Sequence, residues 1–251
     1  MSIDLKNKVA LITGGGTGLG KEIARLFAKE GMHLAINYSL SRADAESTAH
    51  ELSTQYNITA HVIQADVSVA SEAERVVDET VRLLGQIDVL VNNAGTTTFC
   101  EFEDLEGLQD EDWDRILAVN TKAPFFTSRA AGRHMKKQSG GGCIINTTSI
   151  AASRTTGSSL AYCTSKAAMS HLTRCLAKAM APEVRVNGVA PGFLRTRWGD
   201  KFSDEAARRM ADAAVLKTAT STEECAAAYV YIAKNASVTG QIVAVDAGLS
   251  V

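Results

Sequence analysis

Tyr162 and Lys166 stand four residues apart in a segment whose composition reads as helix, with Ser149 upstream of both. Residues four apart share one helix face, so the phenol and the ammonium address the same small volume. A nearby positive charge stabilises a phenolate, and the expectation is a Tyr162 pKa below its reference near ~10. A hydroxyl from Ser149 then bonds the oxygen of a carbonyl or alcohol. Together these groups move a proton on or off a substrate oxygen near neutral pH. Taken alone, the pair also fits a half-buried helical tyrosine beside a solvated lysine, so the surrounding motifs decide.

The elements that must hold these groups alternate between apolar strand-like runs and helical stretches. Strands are expected at Val9–Ile12, His33–Tyr38, Thr59–Gln64, Ile87–Val91, Cys143–Asn146, Val184–Val189 and Gln241–Val245. Helices are expected over Leu19–Lys29, Arg42–Gln55, Ser71–Leu84, two stretches within Glu111–Lys137, Ser158–Met180 and Thr222–Ala233. Seven strands separated by helices predict a doubly wound, Rossmann-type α/β fold, with a seven-stranded parallel sheet and helices on both faces. No linker or repeat interrupts it, so residues 1–251 are expected to form a single domain. The acidic stretch Glu101–Asp114 reads as a solvated connection. The charged, weakly periodic segment 193–216 follows a strand end and is a candidate substrate lid.

Between the first strand and the first helix lies Thr13-Gly14-Gly15-Gly16-Thr17-Gly18-Leu19-Gly20. Glycines let the backbone approach a pyrophosphate closely, and the following helix N-terminus offers free N–H groups. The spacing is Gly-x-x-x-Gly-x-Gly, and such turns also serve simply to accommodate positive φ. Asp66 follows the third strand, where its carboxylate suits an adenine amino group or a helix cap. Asn92-Asn93-Ala94-Gly95 ends the fourth strand, at the sheet edge where ligands of such folds bind, although it also fits a plain turn.

This ordered set resembles the short-chain dehydrogenase/reductase family, single-domain type, over Val9 to Gly248, and 3-oxoacyl-(acyl-carrier-protein) reductases in particular. The matching positions run Gly14, Gly18, Gly20, Asp66, Asn92 to Gly95, Asn120, Ser149, Tyr162, Lys166, Pro191 and Gly192. The resemblance implies hydride transfer between a nicotinamide dinucleotide and a carbonyl or secondary alcohol, with Tyr162 as general acid in reduction and base in oxidation. It implies that Lys166 lowers the tyrosine pKa and holds the nicotinamide ribose, and that Ser149 positions the substrate oxygen. Asn120 resembles the asparagine that binds a water of the proton relay; on its own it reads as a capping or helix-interrupting residue. By the same resemblance Thr17, Leu19, Val67, Asn93, Ala94 and Gly95 contact the dinucleotide, and Pro191, Gly192, Leu194 and Thr196 meet its carboxamide.

The cofactor depends on the end of the second strand, where NAD enzymes place an acidic residue for the adenosine 2′-hydroxyl. The sequence there is Asn37-Tyr38-Ser39-Leu40-Ser41-Arg42, and the first acid is Asp44, inside the next helix. Ser39, Ser41 and Arg42 suit a 2′-phosphate, so NADP(H) is favoured over NAD(H). Against that, Gly16 and Thr17 add no basic residue, and Arg42 also fits a solvated helix position.

For the substrate, Phe193, Trp198 and Phe202 offer apolar surface, Arg195 or Arg197 an anion contact, and Thr97, Thr98 and Phe99 further lining. Arg129, Arg133, Lys136 and Lys137 form a basic strip suited to an acidic carrier protein, and equally to an ordinary helix end. Two other readings stand beside the reductase: an NAD-dependent sugar or polyol dehydrogenase, and a non-catalytic nucleotide-binding regulator marked by a broken catalytic set.

The 251 residues are 45% hydrophobic with a net charge of −2, which argues against nucleic acid or an anionic membrane as partner. The segment Met1–Lys8 has no apolar run of signal-peptide length, and no run approaches the ~18 residues of a membrane span. Five cysteines without Cys-x-x-Cys spacing read as thiols in a reducing compartment, and five scattered histidines form no metal motif. A cytoplasmic protein without a metal is expected. The resemblance and the alanine-rich helix Ser158–Met180 together imply a homotetramer.

Overall fold

The computed structural model describes residues 2–196 and 203–251. One sheet runs through it, with strands β1 (Val9–Ile12), β2 (His33–Tyr38), β3 (Ala60–Gln64), β4 (Val89–Asn92), β5 (Gly142–Thr147), β6 (Val184–Pro191) and β7 (Ile242–Val245). Their order is β3-β2-β1-β4-β5-β6-β7, and every neighbouring pair is parallel. The order reverses between β1 and β4, the switch point at which such sheets open a crevice at their carboxyl ends.

Helices α1 (Gly18–Lys29), α2 (Arg42–Tyr56), α3 (Ala70–Leu84), α4 (Asp110–Leu117), α5 (Ala123–Met135), α6 (Leu160–Met180), α7 (Asp204–Ala213) and α8 (Thr222–Lys234) fill the intervals. Strand side chains alternate between faces, and β1 shows it within four residues. Ala10 and Ile12 join the core formed with α1, α2 and α8, through Ile23, Phe27, Leu52 and Tyr229. Leu11 joins the opposite core with α3, α5 and α6, through Val76, Val77, Ala130 and Leu176. Both faces of the sheet are thereby covered, as a parallel sheet of nearly continuous Val, Ile, Leu and Ala requires.

The expected strands are all present, with shifts that have local causes. Thr59 N–H donates to His33 Nδ1, Ile87 N–H to Gln138 Oε1 and Gln241 N–H to Asn187 Oδ1. Side chains thus take the amides that the ladder would otherwise claim, and β3, β4 and β7 start later than their apolar runs. The stretch within Glu111–Lys137 is divided by a π-helical turn, Ala118–Lys122. The acidic connection before it becomes helix at Asp110, where Gln109 and Asp112 form a reciprocal cap. Segment 193–216 also contains a helix, α7, which its weak sequence periodicity did not reveal.

Candidate active site

The glycine turn sits where β1 feeds α1. Gly14 and Gly18 adopt φ of +62° and +53°, a region that L side chains rarely enter. Gly20 answers to space instead, since a Cβ there would lie 2.2 Å from Gly14 O. Thr17 caps α1 without a side-chain hydrogen bond, which leaves the first-turn amides facing outward. Thr13 Oγ1 accepts from the backbone N–H of both Asn93 and Ala94 at 3.0 Å. Asn93 Nδ2 returns two bonds, to Thr13 O (3.0 Å) and Gly14 O (3.2 Å), and so ties the end of β4 to the glycine turn.

The catalytic candidates come from the next elements along the sheet. Ser149, in extended conformation just past β5, accepts from Ala151 N–H at 3.1 Å and starts a short 3₁₀ turn, Ile150–Ala152. Ser159 caps α6 by accepting from Tyr162 N–H, so α6 begins at Leu160 rather than Ser158. This places Tyr162 in the first turn and Lys166 one turn on, 3% exposed, with Nζ donating to Thr147 O at 2.8 Å. Asn120, fully buried in the π turn, accepts from Thr96 N–H and donates to Thr96 O, both at 2.9 Å, and donates to Ser165 Oγ at 3.0 Å. A Cβ on Gly95 would stand 3.5 Å from Asn120 Oδ1 and 3.7 Å from Lys166 Nζ, so Gly95 separates the two side chains by little more than its backbone.

Burial pushes the Tyr162 phenol up to about 12, against a hydrogen bond with Ser149 that pulls it down. It pulls the Lys166 ammonium down to about 8. The tyrosine therefore shifts opposite to the sequence expectation. Lys166 Nζ lies 5.7 Å from the phenol ring centroid and spends a hydrogen bond on Thr147 O, while desolvation acts directly on the hydroxyl.

These groups share one cleft of about 920 Å³, running from the glycine turn past Ser149, Tyr162 and Lys166 to Pro191–Leu194. Of the sequence candidates, Gly14, Thr17, Gly18, Leu19, Gly20, Ser39, Asn93, Ala94, Gly95, Pro191, Gly192, Leu194 and Thr196 line it. Asn120 is buried behind the wall. Arg42, Asp66 and Val67 are not in the lining: Arg42 pairs with Glu46 at 2.9 Å on the exposed face of α2. Asp66 accepts from the N–H and hydroxyl of Ser68, and Val67 is buried in the core.

Among the substrate candidates Phe193 lines the cleft, whereas Thr97, Thr98, Phe99 and Arg195 do not. Arg197, Trp198 and Phe202 lie outside the described residues. In the basic strip, Arg129 and Arg133 both pair with Glu74 of α3, leaving Lys136 and Lys137 without an acidic partner among the described residues. Sequence reading missed Arg154, Thr156 and Leu249, which line the cleft from loops and carry no local motif, while Arg209 and Met210 line it from α7, inside the segment read as a candidate lid but not named individually.

The described residues suit a dinucleotide. The turn excludes a side chain at Gly20, the α1 amides are uncapped, and the cleft is large enough for a dinucleotide at one end. Beside Gly192, just behind the cleft lining, the buried Thr220 Oγ1 has no hydrogen-bond partner among the described residues.

Comparison with known proteins agrees. The sequence model of a family described as enoyl-(acyl carrier protein) reductase matches residues 14–250. A putative ketoacyl reductase 2 of the granaticin polyketide synthase from Streptomyces violaceoruber is 37% identical, covering 96% of this chain and 95% of that protein. Glucose and ribitol dehydrogenase homolog 2 from Arabidopsis thaliana is 38% identical, covering 98% of this chain and 87% of that protein. A short-chain dehydrogenase from Burkholderia cenocepacia J2315, solved in complex with NADP, is 30% identical with a TM-score of 0.91 and covers 99% of this chain and 100% of that one. With a parallel sheet opened at its switch point and a Ser-Tyr-Lys set on the cleft wall, this chain belongs to the short-chain dehydrogenase/reductase family. It is an NAD(P)-dependent oxidoreductase of CH–OH and C=O groups.

Proposed function

We propose that the protein is an NADP(H)-dependent carbonyl reductase, working in reverse as a secondary alcohol dehydrogenase, with Tyr162 as its general acid and base. The observation that carries this reading is the convergence of Ser149, Tyr162 and Lys166 on the cleft that the glycine turn enters. A bound nicotinamide supplies or accepts the hydride at the substrate carbon. Ser149 donates to the substrate oxygen and holds it against Tyr162. The phenol, kept protonated by burial, gives its proton to that oxygen in reduction and recovers it in oxidation. Lys166, buried and cationic below about pH 8, stabilises the transient phenolate. Asn120 fixes the Thr96 backbone and Ser165 beside Lys166 and positions the set. A regulator on this fold would be marked by a broken set, and here all four residues are in place.

The phosphate preference rests on the end of β2. Tyr38, Ser39, Leu40 and Ser41 line the cleft there without a carboxylate, and Arg42 reaches the phosphate by leaving Glu46. The likeness to a glucose and ribitol dehydrogenase homolog favours a second reading, an NAD-dependent sugar or polyol dehydrogenase. The likeness to a ketoacyl reductase favours a carrier-linked substrate for the first. Titration with NADPH and NADH, followed by nicotinamide fluorescence, separates the readings. Tighter NADPH binding, weakened by Arg42→Ala while NADH binding is unchanged, supports the first; tighter NADH binding supports the second.

The described part of segment 193–216, residues 193–196 and α7, serves as a lid over the cleft. The expected assembly is a homotetramer, and a monomer mass in light scattering would refute it. All five cysteines are unbonded, which fits a cytoplasmic location, and no helix among the described residues is long and apolar enough to cross a membrane.

A further inference from the structure

Arg154 stands in the cleft without a carboxylate to meet it. It is half-buried and lines the same wall as Ser149 and Tyr162, and it makes no ion pair among the described residues. No Asp or Glu lines the cleft among those residues, whereas Arg154, Lys166 and Arg209 do. Lys166 spends its ammonium on Thr147 O, and Arg209 pairs with Glu205 on the exposed face of α7. With Lys166 assigned to the Tyr162 phenolate and Arg209 to Glu205, Arg154 is the remaining cation of this lining. Partial burial of a guanidinium without a counter-charge is unfavourable, and a bound anion offsets that cost.

Its place fixes which end of the cleft it serves. Arg154 N–H donates to Ile150 O at 3.2 Å, on the turn that Ser149 begins. The segment then passes Gly157, where a Cβ would stand 2.5 Å from Cys163 Sγ and 3.9 Å from the Tyr162 ring. At Ser158 it is pinned from the other side, by Thr97 Oγ1 against Ser158 Oγ at 2.7 Å and by Cys100 N–H donating to Ser158 O at 2.9 Å. Arg154 thus rides on a loop held between the two catalytic hydroxyl residues, and the glycine turn and Ser39 lie on β1 and β2 instead. Ile150, Ala151, Phe193 and Met210 give the wall around it an apolar character.

We infer that the substrate is a carbonyl compound with an apolar body and an anionic group, carboxylate or phosphate, which Arg154 receives while the carbonyl meets Ser149 and Tyr162. This rests on the carbonyl-reductase reading for the position of the carbonyl. Of the two arginines expected to meet an anion, Arg195 lies outside the cleft lining and Arg197 outside the described residues, and Arg154 takes that role here.

The test uses no turnover, so it stands or falls apart from the catalytic reading. The protein is saturated with NADP⁺, which holds no hydride to give, and dissociation constants are measured by calorimetry for 4-formylbenzoate, 4-formylphenyl phosphate and neutral methyl 4-formylbenzoate. At least one anion is expected to bind about tenfold or more tighter than the ester, as a charge-assisted hydrogen bond implies. Arg154→Ala brings that anion to the affinity of the ester, and Arg154→Lys restores part of the preference. The identity of the preferred anion states which group Arg154 was shaped for. Equal affinities for anions and ester, no measurable anion binding, or an equal loss for all three in Arg154→Ala would overturn the inference. NADP⁺ affinity, measured in each variant, confirms that the fold is retained.

Discussion

Replacing Gly20 by alanine tests the glycine turn at its tightest point. The new methyl would lie 2.2 Å from Gly14 O and 2.7 Å from Asn93 Nδ2. Cβ atoms do not come within 3.0 Å of such an atom, so the Gly14 carbonyl has to retreat by the difference, 0.8 Å. That carbonyl accepts from Asn93 Nδ2 at 3.2 Å, and the retreat removes one of the four hydrogen bonds that tie the end of β4 to the glycine turn. Overpacking costs roughly 1–3 kcal/mol and the lost hydrogen bond about 1, while alanine returns about 1 through helix propensity. The net of about 2 kcal/mol corresponds to a Tm lower by roughly 4–8 °C in a chain of this size. NADPH affinity should fall further than stability, by tenfold or more, because in the proposed complex the displaced backbone meets the phosphates (about 1.4 kcal/mol per tenfold).

The assay is nicotinamide fluorescence titration beside thermal unfolding, with Gly85→Ala as control. Gly85 ends α3 at φ +83° with nothing within 4 Å of its would-be Cβ, so it carries only the backbone strain of about 1–2 kcal/mol. Its variant should lose stability and keep its NADPH affinity. Wild-type NADPH affinity in Gly20→Ala would refute the reasoning.

Asn120→Ala leaves the part-buried Thr96 N–H and O without their side-chain partners, at about 1–2 kcal/mol for each, the lower part of the range for an unpaired group because water can reach them. Urea unfolding should show a loss of about 2–4 kcal/mol together with reduced turnover, and an unchanged midpoint would contradict it. Lys166 gives a pH signature. Its folded pKa of about 8 lies below the reference of 10.5, so the unfolded chain binds more protons between those values and stability from this group rises with pH there. The destabilisation is complete below about pH 8 and amounts to at most about 3 kcal/mol. The stability difference between wild type and Lys166→Met should therefore move in favour of wild type from pH 8 to 10.5. A difference that stays flat across that window would count against the buried ammonium.

The strands were legible because a parallel sheet covered on both faces demands continuous apolar runs, and Val9–Ile12 and His33–Tyr38 fall where those runs fall. Their edges were not, since amides such as those of Ile87 and Gln241 are taken by side chains distant in sequence. The π turn around Asn120 escaped for a related reason: a wider turn of five residues leaves no periodic mark, and only the folded backbone shows it. Ser149, Tyr162 and Lys166 could be read from spacing because they lie on one strand end and one helix. Arg154 and Met210 reach the cleft through loop path and helix docking, which no local pattern encodes. The tyrosine pKa was misjudged because charge proximity is visible in a sequence and desolvation is not.

The most direct test of the central claim is Tyr162→Phe, assayed for NADPH-dependent reduction of 4-formylbenzoate and its methyl ester and for NADPH binding. Removing one hydroxyl leaves the cleft and the glycine turn untouched. Turnover should fall by about 10²–10⁴-fold, the contribution of a positioned acid, while the NADPH dissociation constant stays within about twofold. Turnover within about tenfold of wild type, or a loss that merely tracks weaker NADPH binding, would take the proton-transfer role away from Tyr162.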